Sequence, residues 1–371
     1  MTTKIRRIVA AGVTCAAALG WTCGTDGGAG VNVLALSQAK PAVATVAGPL
    51  SPLGSPADPD VSGYDLYALR RGKPIAAAFP SKPDDLVSSN YYDLALTLYT
   101  VYYRSGDPYW LAQARRVAGI WRDSPNNRNI DRYLAGDFSV GPTIPPPRSL
   151  STLGLAILAS EADDPQARHV VDDHARLVEN VYGFQWSDPR EAGYSLMALV
   201  ASTVLGDDHR AGARQMLDVA LANQKSDGRW EGTSDLVPAG PFVLNYMTGL
   251  LMEGLVLYDR AIGDPRIVPA LRKGVDWTWS TQWVSRSQAF QYANINSGSV
   301  NTQPAPDLNG LMLPAWGYLF SATGDTRYRD QGNQIFQGLS NVIPSVTGDE
   351  KHYAQIYRSS GRYLGFLTQG H

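Results

Sequence analysis

Six carboxylates stand where apolar helical segments begin or just before them: Asp93, Asp137, Glu191, Glu231, Asp235 and Asp307. Two carboxyls facing one bond, the first protonated and the second ionised, are what acid–base cleavage of a glycosidic linkage needs. Aromatic side chains with a polar edge accompany them, namely Tyr92, Tyr133, Trp186, Trp230, Tyr246 and Tyr292. Rings of this kind can lie flat on a sugar and still hydrogen-bond at the rim. Asn245, Asn309, Arg148 and Arg190 add neutral and cationic donors. The run His352-Tyr353-x-Gln355-x-Tyr357-Arg358 adds a histidine, and its residues 353 and 357 share one helical face. Asp93, Glu191, Asp307, Tyr246 and His352 are the candidate catalytic groups. Tyr92, Tyr133, Arg148, Trp186, Arg190, Trp230, Asp235, Asn245, Tyr292, Asn309, Tyr357 and Arg358 are the candidate substrate contacts. Each has a structural alternative. Asp93, Glu191 and Asp307 fall in or beside a first helical turn, where a carboxylate caps the helix and answers its dipole. Trp186, Trp230 and Trp283 can equally pack loops onto a scaffold.

Composition narrows the partners. The chain has 371 residues with Lys+Arg 32 against Asp+Glu 34, and so lacks the basic stripe that nucleic-acid binding requires. Only seven of those 32 cations are lysine, and arginine is the cation suited to forked contacts with carboxylates. Both cysteines, Cys15 and Cys23, lie in the first 23 residues. That stretch reads as an export leader: Lys4, Arg6 and Arg7, then Ile8 to Trp21 mostly apolar and small, with Ala16-Ala17-Ala18 as a cleavage triplet. Cys23 lacks the Leu-small-small run that precedes a lipidated cysteine. Removal of the leader would leave no thiol and no disulfide. Residues 24–62 are a Gly/Ala/Pro-rich arm, and 63–371 form the folded domain. The expectation is a secreted or periplasmic protein without a membrane span. The five histidines are scattered and none lies at metal-ligand spacing, so neither metal nor cofactor is expected. His169 and His174, on a charged helix, are expected to face solvent, and His209 is expected to cap another outer helix.

The elements that must position these groups show in the turns. Gly106-Asp107-Pro108, Asp163-Asp164-Pro165, Gly206-Asp207-Asp208, Gly263-Asp264-Pro265 and Gly324-Asp325-Thr326 repeat one pattern: a helix stop, a capping aspartate, and often proline at the first helical position. They recur every 40 to 60 residues or so, the range of helical repeats. The segment before each turn is apolar nearly all round: 91–103, 149–159, 192–205, 242–258 and 308–322. The segment after it has a charged face: 110–122, 166–180, 209–224, 266–279 and 327–341. A last apolar helix spans about 350–367, and 63–71 could supply a sixth outer helix. All-round apolar helices are buried on several sides, whereas one-sided ones form an outer layer. Strand signals are weak throughout. The fold class is therefore all-α, an (α/α)6-type toroid of helical hairpins.

This pattern resembles the six-hairpin toroid superfamily of carbohydrate-active enzymes, which includes glycoside hydrolases and polysaccharide lyases. The resemblance covers residues 63–369 and rests on the turns and the inner/outer contrast, not on a catalytic signature. It implies a polysaccharide or oligosaccharide as the partner. Long connections (123–147, 181–190, 225–240, 280–307 and 342–349) all fall at the end where inner helices begin, so the site is expected there. The foremost reading is a glycoside hydrolase using two of the carboxylates. A second is a lyase acting on a uronic-acid polymer, with Tyr246 or His352 moving the proton and Arg or Asn neutralising the uronate. A third is a carbohydrate-binding toroid without turnover. Gln224 to Trp230 also resembles the Q-x-x-x-G-x-W element of triterpene cyclases, but it occurs once and no aspartate-rich acid motif accompanies it.

Overall fold

The computed structural model describes residues 58–232 and 241–368. The leader and nearly all of the arm lie outside the described residues, as does Asp235. Twelve helices of nine residues or more account for the architecture. In chain order they are α1 (Ser62–Ala78), α2 (Leu94–Ser105), α3 (Pro108–Arg122), α4 (Leu153–Glu161), α5 (Pro165–Leu177) and α6 (Pro189–Leu205). The second half comprises α7 (Arg210–Ala222), α8 (Asn245–Ala261), α9 (Ile267–Gln282), α10 (Asn309–Thr323), α11 (Thr326–Val342) and α12 (Glu350–Thr368). The even-numbered helices form an inner ring in which each packs on the next and α12 closes on α2. The odd-numbered helices lie outside, and α1 fills the sixth outer place, running seven residues beyond the predicted 71. Strand is confined, among the described residues, to a two-residue antiparallel pair, Trp283–Val284 with Ala289–Phe290.

Sequence accounts for the two layers. In α10, Asn309 through Gly317 is continuously buried. The outer α11 instead buries one stripe, including Tyr328, Gln331, Ile335 and Leu339, and exposes the rest. In four of the five turns an aspartate accepts a backbone N–H group at 2.8 to 3.0 Å: Asp107, Asp164 and Asp325 as N-caps of the outer helices, and Asp264 two residues ahead of the N-cap. In the remaining turn Asp207 takes Arg168 and Ser202 side chains instead. Glycine fixes how closely the inner helices approach at the end where they begin. A Cβ on Gly193 of α6 would sit 2.7 Å from the Leu250 carbonyl oxygen of α8, and one on Gly310 of α10 would meet that of Ile356 of α12 at the same distance. No larger side chain fits there without separating the helices.

The bore is filled rather than open, and it is filled with charge. Glu253 of α8, fully buried, accepts Arg358 Nη1 at 2.7 Å and Ser359 Oγ at 2.8 Å, and Arg362 Nη1 lies 3.0 Å from its other oxygen. Arg358 reaches across to α6, where Nη2 is 3.4 Å from Met197 Sδ and the guanidinium carbon lies 5.7 Å from the centre of the Tyr194 ring.

His174 departs from the expectation of solvent exposure, and His209, at the N-cap of α7, makes no side-chain cap hydrogen bond. His174 is fully buried, with Nδ1 2.9 Å from Thr152 Oγ1 and Nε2 2.9 Å from Asn127 Oδ1. It falls on the same stripe as Val170, Val171 and Leu177, which the helix turns toward the inner ring. His209 is nearly buried between Asp172 at 2.7 Å and Glu179 at 3.0 Å. His169 does face outward.

Removing Glu253 would leave two arginines in the bore without their carboxylate. Glu253→Ala should destabilise the chain by about 3–5 kcal/mol in denaturant unfolding, and wild-type stability for this variant would show that the cluster is not held as described. Burial pushes the His174 imidazole down to about 3 from its usual 6.5. The folded chain thus binds that proton more weakly than the unfolded chain, so stability falls as pH drops through the interval from 6.5 towards 3. His174→Gln should flatten the dependence of Tm on pH within that window and leave it unchanged above pH 7.

Candidate functional site

The start of α6 sets the geometry. In Asp188-Pro189-Arg190-Glu191, Asp188 is the N-cap and its Oδ1 accepts Glu191 N–H at 2.9 Å, with proline at the first helical position. This places Arg190 and Glu191 in the first turn beside a cleft of about 690 Å³ whose walls include Pro147, Arg148, Tyr182, Asp188, Arg190 and Glu191. The wall opposite α6 is the end of the 123–147 connection, stiffened by Pro145-Pro146-Pro147. Arg148 grips Glu191 twice, donating its backbone N–H to Oε2 at 2.8 Å and Nη1 to Oε1 at 3.2 Å.

Glu191 sits under opposed influences. Burial pushes its carboxyl above the usual range, the neighbouring Asp188 adds to the rise, and Arg190 and Arg148 offset only part of it. The carboxyl still keeps 15% of its side-chain surface in contact with solvent. Beside it, Arg190 donates Nη1 to Tyr91 Oη at 2.8 Å. Tyr91 meets Tyr92 edge-on at 4.8 Å, and Tyr246 stacks on Tyr292 at 5.8 Å. Burial, helped by Tyr292, keeps the Tyr246 phenol protonated. Tyr91, Tyr92, Arg190 and Tyr246 lie within electrostatic reach of one another.

The structure thus brings together Glu191, Arg148 and Arg190 at the cleft among the sequence candidates, whereas Tyr92 and Tyr246 are buried, 3% and 8% exposed, and Tyr292 packs on Tyr246, so none of these three lines the cleft. Trp186 borders this region, its Nε1 donating to Glu231 O at 2.8 Å. Tyr133 sits on the connection leading to the cleft, edge-on to Phe138. Other candidates are committed elsewhere. Asp93 is buried with a left-handed φ of 60°, and its two oxygens accept Leu96 N–H at 3.1 Å and Gly154 N–H at 2.9 Å, tying α2 to α4. Asp307 accepts Gln355 Nε2 at 2.9 Å. Asn245 donates to Gln291 O at 2.6 Å, and Asn309 to Gln288 O at 2.8 Å and Ile335 O at 3.1 Å, so both pin loops. Trp230 is wholly buried and donates to Ala220 O, leaving no face for a sugar. Arg358 belongs to the bore. Tyr357 turns towards α1 and lines a separate cavity of about 110 Å³. His352 points outward beside Arg71 and Ile75, with Nδ1 3.0 Å from Asp349. Of the remaining carboxylates, Asp137 is paired with Arg132 and Glu231 with Arg229.

Asp188, Tyr91 and Tyr182 were not among the candidates. The Asp-Pro-x-Glu spacing at 188–191 is a helix-start signature and could have drawn attention to Asp188. Nothing in the sequence marks Tyr182, whose hydroxyl donates to Pro145 O. On the outer surface Asp131, His169 and Asp173 come within 4.8 Å of one another, but Arg176 already supplies the compensating charge, 3.1 Å from Asp131 and 2.8 Å from Asp173.

The architecture, with this cleft at the end where the inner helices begin, is that of the (α/α)6 toroids. No family model matches the chain and no curated protein matches it. Among solved structures, an unsaturated glucuronyl hydrolase specific for heparin aligns with 84% of this chain and 97% of its own at a TM-score of 0.57 and 11% identity. The unsaturated glucuronyl hydrolase of Streptococcus agalactiae aligns with 75% of this chain and 80% of its own, with a TM-score of 0.54 and 11% identity. An α-1,6-mannanase of Salegentibacter sp. HEL1_6 gives 0.41 and 13% identity over 71% of this chain, which spans 61% of that enzyme. What is shared at these identities is the fold, and the chain is an (α/α)6 toroid like these carbohydrate-active enzymes.

The charges around Glu191 can be separated by substitution. Asp188→Asn keeps a capping oxygen and removes a negative charge, so the Glu191 carboxyl should titrate lower. Arg148→Ala should move it higher. Carbon-13 NMR of labelled glutamate carboxyls reads both, and a common direction for the two variants would contradict the arrangement.

Proposed function

We propose that this chain is an exported glycoside hydrolase acting on a uronate-bearing oligosaccharide or polysaccharide. The observation that carries the reading is Glu191, a carboxyl raised by burial and by Asp188 at the wall of a cleft lined by Arg148, Arg190 and Tyr182. Glu191 donates its proton to the departing glycosidic oxygen. Once ionised, it is held by the backbone N–H and guanidinium of Arg148. Asp188 is the second carboxylate of the cleft. One of its oxygens caps α6, and the other, 3.6 Å from Arg190, is the group that would accept a proton from the attacking water. Arg148 and Arg190 supply the charge that recognises a sugar carboxylate, and Tyr182 supplies an aromatic surface on the cleft wall. The fold it shares with glucuronyl hydrolases supports an acidic sugar, and the basic, apolar N-terminus supports export.

A lyase would draw on the same residues, and the hydrogen bond from Arg190 to Tyr91 favours it to the extent that a guanidinium stabilises a phenolate. The two reactions leave different products. The test is a panel of heparin, chondroitin, hyaluronan and neutral glycans, read for new reducing ends and for the ultraviolet absorbance of unsaturated uronyl ends. A hydrolase raises reducing ends on an acidic glycan with no gain in absorbance, whereas a gain in both would establish elimination. Glu191→Gln should lower kcat by about 10²–10⁴-fold while leaving the Kd for that glycan within a few-fold. Turnover that survives this substitution would remove Glu191 from the mechanism.

A further inference from the structure

A second cavity, of about 590 Å³, lies between α1 and the connection that leads into α12, and it shares no lining residue with the cleft at Glu191. α1 contributes Tyr67, Arg70, Arg71, Pro74, Ile75 and Ala78, which follow the i, i+3, i+4, i+7 spacing of a single helical face. Thr347, Asp349 and Glu350 stand on the other side. The volume falls within the usual span of small-molecule sites, about 300–1,000 Å³. Both cavities open at the end where the inner helices begin. Lys351, next to Glu350, holds its ammonium 5.0 Å from the centre of the Tyr91 ring, and the Tyr91 hydroxyl accepts Arg190 of the cleft.

The charges of this second cavity are unevenly committed. Glu350, 3% exposed, accepts the backbone N–H and the hydroxyl of Ser81, each at 2.7 Å, so both its oxygens are taken. Asp349 holds His352 Nδ1 at 3.0 Å through Oδ1. Among the described residues Arg70 and Arg71 make no hydrogen bond and no ion pair. Arg71 is half-buried, and it also lines a small gap with Ile343, Val346 and Tyr357. Arg104, Arg190, Arg358 and Arg362 are withdrawn from water too, and each has a carboxylate: Asp65, Asp188 and, for the last two, Glu253. A half-buried cation without a counter-charge leaves part of its desolvation cost unmet, and an external anion would offset it. Pro74, on the same face, has no N–H for the Arg70 carbonyl, which leaves that oxygen as an acceptor.

We infer that this cavity binds an acidic saccharide unit, its carboxylate on the guanidiniums of Arg70 and Arg71 and its hydroxyls on Asp349 and the Arg70 carbonyl. The lining selects this class. A bare inorganic anion would meet the two arginines but face Asp349 and Glu350 as well. A sugar acid brings a carboxylate to the basic side and hydroxyl donors to the acidic one. Tyr67 adds a half-buried aromatic ring one turn before Arg70 and Arg71. The site does not depend on the reading of Glu191.

Protein labelled with nitrogen-15 at arginine reports each guanidinium through its Nε–H signal, and single Arg→Gln variants assign Arg70, Arg71, Arg148 and Arg190. Sodium glucuronate, titrated into the full chain at fixed ionic strength, should move the Arg70 and Arg71 signals to saturation. Glucose should leave them in place, and sodium acetate should need about tenfold higher concentrations. Arg70→Gln, at an exposed position, should keep Tm and weaken the glucuronate response of Arg71 by about tenfold. If glucuronate moves Arg148 and Arg190 but neither Arg70 nor Arg71, the second site is overturned and the cleft reading stands. Movement of Arg70 and Arg71 alone would support this site and remove the acidic-sugar reading of the cleft. Acetate acting as strongly as glucuronate would reduce the cavity to an unspecific anion contact and overturn the saccharide assignment.

Discussion

A single carboxylate carries the centre of this molecule. Glu253 lies in the bore with no access to water, and two arginines of α12 converge on it, one of which continues across to Met197 and Tyr194 on the opposite helix. Taking three charges out of water is expensive, and a packed apolar bore could be as stable or more so. What the charges supply is a register. Arg358 and Arg362 lie one helical turn apart, so α12 satisfies both only at one height and one rotation relative to α8. Since α12 closes the ring on α2, fixing it fixes the closure.

The end where the inner helices begin gathers six helix N-termini, each presenting partial positive charge to whatever lies between them. A carboxylate there is normally stabilised in its ionised form. Glu191 nevertheless has a raised pKa, because burial and the adjacent Asp188 outweigh the cations around it. A carboxyl raised in this way holds its proton more readily than a solvated one, which is the direction a proton donor requires.

The architecture was legible because the information is local. The repeated stop-Asp-Pro turns and the contrast between all-round and one-sided apolar helices need no knowledge of distant contacts, and eleven helical segments were read from them within a few residues of their observed ends. The site was less legible. Asp93 and Glu191 look alike in sequence, each at the start of an inner helix, yet one is a buried tie and the other faces the cleft. Arg358 and Tyr357 are adjacent in the chain, but a helix sends one into the bore and the other towards α1. His174 carries a charged helix's label and is buried. Which face a residue takes depends on the neighbours the closed ring brings to it, and no short window of sequence contains them.

The contrast between Asp93 and Glu191 follows from how tightly the inner helices are spaced. Gly154 brings α4 against α2, close enough that its N–H reaches the Asp93 carboxylate and its missing Cβ leaves room for the Ala95 side chain. Gly193, Gly249 and Gly310 do the same for the seams α6–α8, α8–α10 and α10–α12. No glycine makes such a contact between α4 and α6, and α4 is the shortest inner helix. The cleft opens there. Arg148, just before α4, spans the gap to Glu191 of α6 by a backbone N–H and a guanidinium instead of by packed helix surfaces. A carboxylate at a tight seam spends its lone pairs on a neighbour's backbone and becomes structural. Between α4 and α6 the same kind of residue is gripped by Arg148 and keeps an edge towards solvent.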